Sequence, residues 1–170
     1  EIVIVFAGKS TDKTEDLLRR AFTSKKKMKF FNIEWTDDFA AARNFSFEKC
    51  TGDWVLWIDA DDTLETDSTL AELIDLADTV EKTQSTRVDA FSFPYYYAQD
   101  QHGNYTSILM RDRLVRRSLF TEEKAAWKYP VHEIIVIPNR RTKFMNASLN
   151  SGKTFKIMHH PELTTEYRNV

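Results

Sequence analysis

Three aspartates within four positions, Asp59, Asp61 and Asp62, follow directly on the apolar run Trp54-Val55-Leu56-Trp57-Ile58. A buried strand that breaks into carboxylates delivers acidic groups to one edge of a sheet, and that edge is where ligands bind in open α/β sheets. Carboxylates so close repel one another, and burying them is costly unless a cation or a proton neutralises the group. A divalent metal is the natural candidate. The competing reading is an acidic turn that ends a strand, in which Asp61, Asp62 and Thr63 act as turn and helix-capping residues.

The elements that must position this cluster alternate between strand and helix. Ile2 to Phe6 reads as a short apolar strand; Ser10, Thr11 and Asp12 offer caps for a helix from about Lys13 to Phe22, with Glu15 three residues after Asp12 as in a capping box. Lys25 to Lys29 is a basic turn, and a second strand follows from about Phe30 to Trp35. Asp37 or Asp38 caps a helix over about Phe39 to Cys50 that carries Phe39, Ala42, Phe45 and Phe47 towards the sheet, and Gly52 ends it. The strand from Trp54 then closes a second crossover, so the first half reads as a parallel, Rossmann-like α/β sheet flanked by helices. Thr66 or Asp67 caps a longer helix through about Lys82, whose stripe of Leu70, Leu73, Ile74, Ala77 and Val80 is core. Strands from Val88 to Ala98 and from Tyr105 to Met110, joined by a turn at Asp100 to Asn104 with Gly103, make the second half mixed or antiparallel.

Composition bounds the rest. With 170 residues, 42% hydrophobic, the chain supports one domain with a sizeable core, 1–170. A formal charge of -2 gives no global basic surface for nucleic acid or anionic membrane. A single cysteine, Cys50, in a helical pattern fits core packing and a reducing compartment. No segment has the length of apolar residues that crosses a bilayer and no secretory leader is present, so a cytoplasmic protein is expected. The chain starts at Glu1 and runs at once into Ile2, so a further strand is expected ahead of it.

The run Asp37-Asp38-Phe39-Ala40-Ala41-Ala42-Arg43-Asn44, followed by Gly52-Asp53-Trp54-Val55-Leu56-Trp57-Ile58-Asp59-Ala60-Asp61-Asp62, resembles family 2 glycosyltransferases of the GT-A fold. Arg111-Asp112-Arg113-Leu114-Val115-Arg116, Trp127-Lys128-Tyr129-Pro130-Val131-His132-Glu133 and Ile157-Met158-His159-His160 resemble an arginine strand, a His-Glu motif and a late histidine of one branch of that family. Several motifs in the right order are more specific than Asp-x-Asp alone.

The resemblance implies a metal-dependent enzyme that moves a sugar from a nucleotide-diphosphate sugar, a UDP-sugar first, to the hydroxyl of an unknown acceptor. It places residues 1–83 in a nucleotide-sugar-binding half and 84–170 in an acceptor and catalytic half. Asp59 would face the ribose, Asp61 would bind the metal bridging the diphosphate, and Asp62 would orient the sugar or the residues around the metal. Asp38 and Arg43 would lie near the nucleotide. Hard oxygen ligands point to Mg²⁺ or Mn²⁺, and an imidazole from His159, with His160 as the alternative, tilts the choice to Mn²⁺. Glu133 would be the general base and His132 its neighbour at the acceptor, which implies inversion at the anomeric carbon. Arg111, Arg113, Arg116 and Arg117 could form a positive wall for phosphates, with Arg113 contacting the donor, or a solvated edge. The aromatic stretch Trp127 to Tyr129 is of a type that stacks on sugar rings.

The sequence departs from the family at its start, where Phe6 stands in place of a base-contacting aspartate and Lys9 is an extra residue before Ser10-Thr11-Asp12. Two other readings follow. Asp59-Ala60-Asp61-Asp62-Thr63-Leu64 also fits the haloacid dehalogenase phosphatase signature, with Asp59 as nucleophile and Asp61 as acid. A non-catalytic sugar-binding or scaffold domain is the other.

Overall fold

The computed structural model describes residues 1–9, 12–22, 27–138 and 140–160; Ser10, Thr11 and the lysines at 25 and 26 lie outside them. The chain forms two compact units, each built from two segments: Glu1–Val55 with Arg117–Thr142, and Leu56–Arg116 with Lys143–Val170. The division expected at residue 83 falls inside a helix of the second unit.

In the first unit, β1 (Ile2–Ala7) pairs in parallel with β2 (Met28–Ile33), and α1 (Thr14–Phe22) connects them. The Asp12 carboxylate accepts the Thr14 backbone N–H at 2.8 Å, which starts α1. Phe6, at the position where an acid was expected, stacks on Phe30 with ring centroids 6.3 Å apart, and the Arg19 guanidinium lies 5.0 Å above the Phe30 ring. The phenyl group is therefore a packing residue of the β1–β2 pair.

Helix α2 (Phe39–Lys49) starts where the Asp38 side chain accepts the Ala41 N–H at 3.0 Å. Its apolar residues are spread around the axis because two neighbours claim them. Phe45 meets Phe31 of β2 edge-on, while Phe47 is buried against Phe120 and Trp127 at 4.8 and 5.6 Å. Phe39, expected in the core, is half exposed beside Trp35. Gly52 does not end the helix: Cys50 does, with extended backbone and its N–H donating to the Phe47 carbonyl. The Cys50 thiol, packed 3.3 Å from the Ser46 carbonyl, is pushed up in pKa by burial. The helix α4 (Ser118–Thr121) and the antiparallel pair β7 (Ala126–Lys128) and β8 (Ile134–Val136) complete this unit. Asn44 of α2 fastens that pair, donating from its amide nitrogen to the Trp127 carbonyl and accepting the Trp127 N–H, both at 2.9 Å.

Strand β3 (Trp54–Leu56) does not join β1 and β2. It lies at one edge of a mixed sheet whose order is β3, β6 (Tyr105–Arg116), β5 (Ala90–Gln99), β10 (Phe155–His159), β4 (Asp62–Thr66), with β9 (Phe144–Asn146) also on β5. The strand stops two residues short of Ile58, which is 40% exposed. The stretch expected to cap a helix is itself strand β4, held antiparallel to β10, so α3 (Leu70–Gln84) is capped by Thr69, whose hydroxyl accepts the Glu72 N–H. Leu73 and Ala77 of the expected stripe are fully buried. Strand β6 runs six residues beyond its expected end because its pairing with β5 continues to Ala90↔Val115. Helix α5 (Ala147–Ser151) precedes β10. The core of this unit is Phe91, Phe93, Leu114, Val115, Phe155 and Ile157. No helix among the described residues is long and apolar enough to cross a membrane.

Asn44 supplies both a donor and an acceptor to one backbone, and its loss leaves two part-buried groups without those partners. Asn44→Ala is expected to destabilise the protein by about 1–3 kcal/mol in urea unfolding, and an unchanged midpoint would show that the clamp contributes nothing.

Candidate functional site

The acidic cluster is assembled by the register of β4 on β10, which sets His159 directly opposite Asp62. Residues facing each other across an antiparallel pair bring their side chains into contact range. The turn before β4 is closed by the Asp62 N–H donating to the Asp59 carbonyl at 3.1 Å, and the His160 N–H donates to the Asp61 carbonyl at 2.8 Å. His159 Nδ1 consequently lies 3.4 Å from Asp62 Oδ1 and 3.8 Å from Asp61 Oδ2. His160 points elsewhere, its Nε2 being 2.9 Å from the Thr63 hydroxyl.

A buried cation stands behind the carboxylates. Arg113 of β6 is 1% exposed; its guanidinium lies 3.9 Å from the Trp57 ring centre and 4.6 Å from that of Tyr95. Its Nη2 is 2.9 Å from Asp62 Oδ2 and its Nη1 is 3.5 Å from Asp59 Oδ2. The Tyr95 hydroxyl donates to Asp62 Oδ1 at 3.1 Å. Burial pushes the Asp62 carboxyl above its usual range; Asp59 and Asp61 push the same way, while Arg113 and the Tyr95 hydroxyl pull it back. Burial, and then the Asp62 charge, hold the Tyr95 phenol well above its ordinary value, so it remains a donor.

Asp61, Asp62 and His159 each offer one ligand atom, and these atoms all lie within 4.8 Å of one another. His159 Nδ1 is buried without a hydrogen-bond partner among the described residues and faces Asp62 Oδ1, while Asp62 Oδ2 is taken by Arg113. Two carboxylates and an imidazole with such atoms turned inwards fit a divalent cation. Asp62 therefore stands both against Arg113 and in the group that could hold a metal, and Asp59 lies on the other side of the guanidinium. Tyr95 and Trp57 were given no role from the sequence; the alternation of β5, which buries Phe91, Phe93 and Tyr95 in turn, is the signal that places Tyr95 on this face.

The arginine wall does not form. Arg113 is buried and Arg116 pairs with Glu81 at 2.7 Å, because β6 sends its arginines to different neighbours, while Arg117, past the strand's end at the start of α4, donates to the Gly52 carbonyl at 2.7 Å.

In the first unit, Asp38 serves as the α2 cap, and Arg43, on the same helix, forms an ion pair with Glu133, donating from Nε to Oε1 at 3.1 Å. Their side chains are only 11% and 15% exposed. The guanidinium lies 5.2 Å from the centre of the Trp127 ring. Trp127 is 3% exposed, covered by Arg43 and packed on Phe47, so it offers no face to a sugar; Tyr129 is exposed. His132 and Tyr129 both take left-handed backbone, φ 58° and 76°, which shapes the turn that leads Glu133 into β8.

The sequence matches the family described as Glycosyl transferase family 2 over residues 1–140. The chain belongs to glycosyl transferase family 2. It is 38% identical over 64 residues to a TPR repeat-containing protein of Synechococcus elongatus and 33% identical over 67 residues to an uncharacterized glycosyltransferase of Haemophilus influenzae. Those stretches cover 38% and 39% of this chain, and 14% and 26% of the two curated relatives. The fold is similar to that of S. aureus TarS, with a TM-score of 0.50 at 15% identity, over 89% of this chain and 32% of that one. The chain thus spans well under two thirds of the relatives it matches. Membership of family 2 decides against the phosphatase signature for Asp59 to Leu64.

Arg113 and Asp62 are a pair buried on both sides. Arg113→Met leaves an uncompensated carboxylate and is expected to cost about 3–5 kcal/mol in urea unfolding, most of it regained in Arg113→Met with Asp62→Asn, where the charge is gone too. An unaltered midpoint in the single variant would contradict the pairing. The raised Asp62 pKa means that a proton would compete with any cation bound there. Apparent Mn²⁺ affinity should rise with pH as Asp62 ionises above the ordinary carboxylate range, and Asp62→Asn should bind more weakly with a flatter pH dependence; isothermal titration at several pH values measures both.

Proposed function

We propose that this domain transfers a sugar from a nucleotide-diphosphate sugar to an acceptor hydroxyl with inversion at the anomeric carbon. The observation that carries the reading is the convergence of Asp61, Asp62 and His159 beside the buried Arg113, in a chain of glycosyl transferase family 2. Asp61, Asp62 and His159 would hold a divalent cation, Mn²⁺ ahead of Mg²⁺ because one donor is an imidazole. Bound there, the cation supplies positive charge against the charge that grows on the departing nucleoside diphosphate.

The chain's own residues do the rest. Asp59 faces the ribose and is oriented by Arg113. Asp38 and Arg43 are assigned to the nucleotide on the motif they belong to, with a UDP-sugar as the first donor to test. Glu133 takes the proton of the acceptor hydroxyl as its oxygen bonds to the anomeric carbon and the diphosphate leaves from the opposite face. Arg43 restrains the Glu133 carboxylate and His132 lines the acceptor side. A part-buried ion pair of this kind fixes a side chain within a narrow range, which a base needs before its substrate arrives.

The test is binding and turnover with a panel of UDP-, GDP- and dTDP-sugars, with and without Mn²⁺. One donor is expected to bind in a metal-dependent way, Asp61→Ala should abolish that binding, and Glu133→Gln should preserve binding while lowering turnover by at least about 100-fold. Failure of every donor to bind would overturn the transferase reading for this domain; binding without turnover on any acceptor would support a sugar-binding scaffold.

A further inference from the structure

The register that sets His159 opposite Asp62 also brings it alongside β5. Strands β10 and β5 pair in parallel as Ile157↔Tyr95 and Met158↔Tyr96, and one further step sets His159 beside Tyr97. Tyr97 has no partner on its other side, because the β5–β6 register passes from Tyr96↔Ile108 to Ala98↔Ser107. Such a bulge re-aims a side chain and is common beside functional sites. Here the Tyr97 ring lies almost flat on the His159 imidazole, centroids 5.2 Å apart and planes 16° from parallel. Tyr95 meets the same imidazole at 6.0 Å with a tilt of 58°.

A histidine that binds metal through one ring nitrogen is usually oriented by a hydrogen bond from the other. Among the described residues, no acceptor holds His159 Nε2, and Nδ1 faces Asp61 and Asp62. We infer that Tyr97 is a positioning residue of the metal site, its ring rather than a hydrogen bond holding the His159 imidazole with Nδ1 turned to the two carboxylates. The inference rests on the metal reading of Asp61, Asp62 and His159. It requires the flat face of the side chain and makes no use of the phenolic hydroxyl. Tyr97 is 49% exposed, so its truncation removes little core.

The test is Mn²⁺ alone, titrated into the protein and followed by loss of the free-ion electron paramagnetic resonance signal. Tyr97→Ala is expected to weaken binding by about 10-fold or more, and Tyr97→Phe to bind as the wild type does. Without metal, the His159 ring-proton resonances should sit upfield through the Tyr97 ring current in the wild type and in Tyr97→Phe, and move downfield in Tyr97→Ala. Unchanged Mn²⁺ affinity in Tyr97→Ala, or equal weakening in Tyr97→Phe, would overturn the inference while leaving the metal reading standing. A wild type that binds no Mn²⁺ would overturn both.

Discussion

The ion pair between Arg113 and Asp62 is the constraint from which the second unit's chemistry follows. Both side chains are withdrawn from water, at 1% and 0% exposure, and neither charge could remain there without the other. The guanidinium is held between Trp57, just past the end of β3, and Tyr95 of β5, so its position is set by two rings as well as by the carboxylates. With the cation fixed, Asp62 can stand buried at the head of β4, and its other oxygen can face His159 and the Tyr95 hydroxyl. Asp59 takes the remaining side of the guanidinium, which leaves Asp61, Asp62 and His159 as the inward-facing donors. One internal positive charge against three carboxylates leaves an excess that a divalent ion would offset.

In the first unit the same economy of contacts acts on a different pair. Helix α2 presents Arg43 and Asn44 on neighbouring positions: Asn44 fixes the backbone of Trp127, and Arg43 lies over that residue's ring and reaches Glu133. The Asp-Phe-Ala-Ala-Ala-Arg-Asn motif thus has a structural account in this chain. Asp38 starts the helix, the small alanines allow close packing, and the last two residues hold the segment that carries His132 and Glu133.

Much of this was legible in the sequence, and each failure has an identifiable physical cause. Helices α1, α2 and α3, strands β1 and β2 and the hairpin at Gly103 follow from caps, periodicity and turn residues that act locally, whereas the late histidine stands out only through the family resemblance. Strand β4 was not legible: Asp62-Thr63-Leu64-Glu65-Thr66 has the polar content of a turn and becomes a strand only through β10, some ninety residues later in the chain. The place of Asp62 in the metal group depends on that same distant pairing. Trp127 and Arg113 misled for the opposite reason, since an aromatic or an arginine carries no local mark of burial when a single neighbour, Arg43 or Asp62, covers it. The end of α2 was assigned to Gly52 on residue type, whereas Cys50 leaves helical backbone without needing a left-handed angle.

The central claim is that Asp61, Asp62 and His159 hold a divalent cation beside the Arg113 charge, and anomalous diffraction from crystals grown with Mn²⁺ and a nucleoside diphosphate tests it most directly. The expected result is an anomalous peak bounded by the three side chains, with the diphosphate oxygens on its open side. Electron density for the nucleotide with no anomalous peak there, or a peak bound by other residues, would contradict the claim.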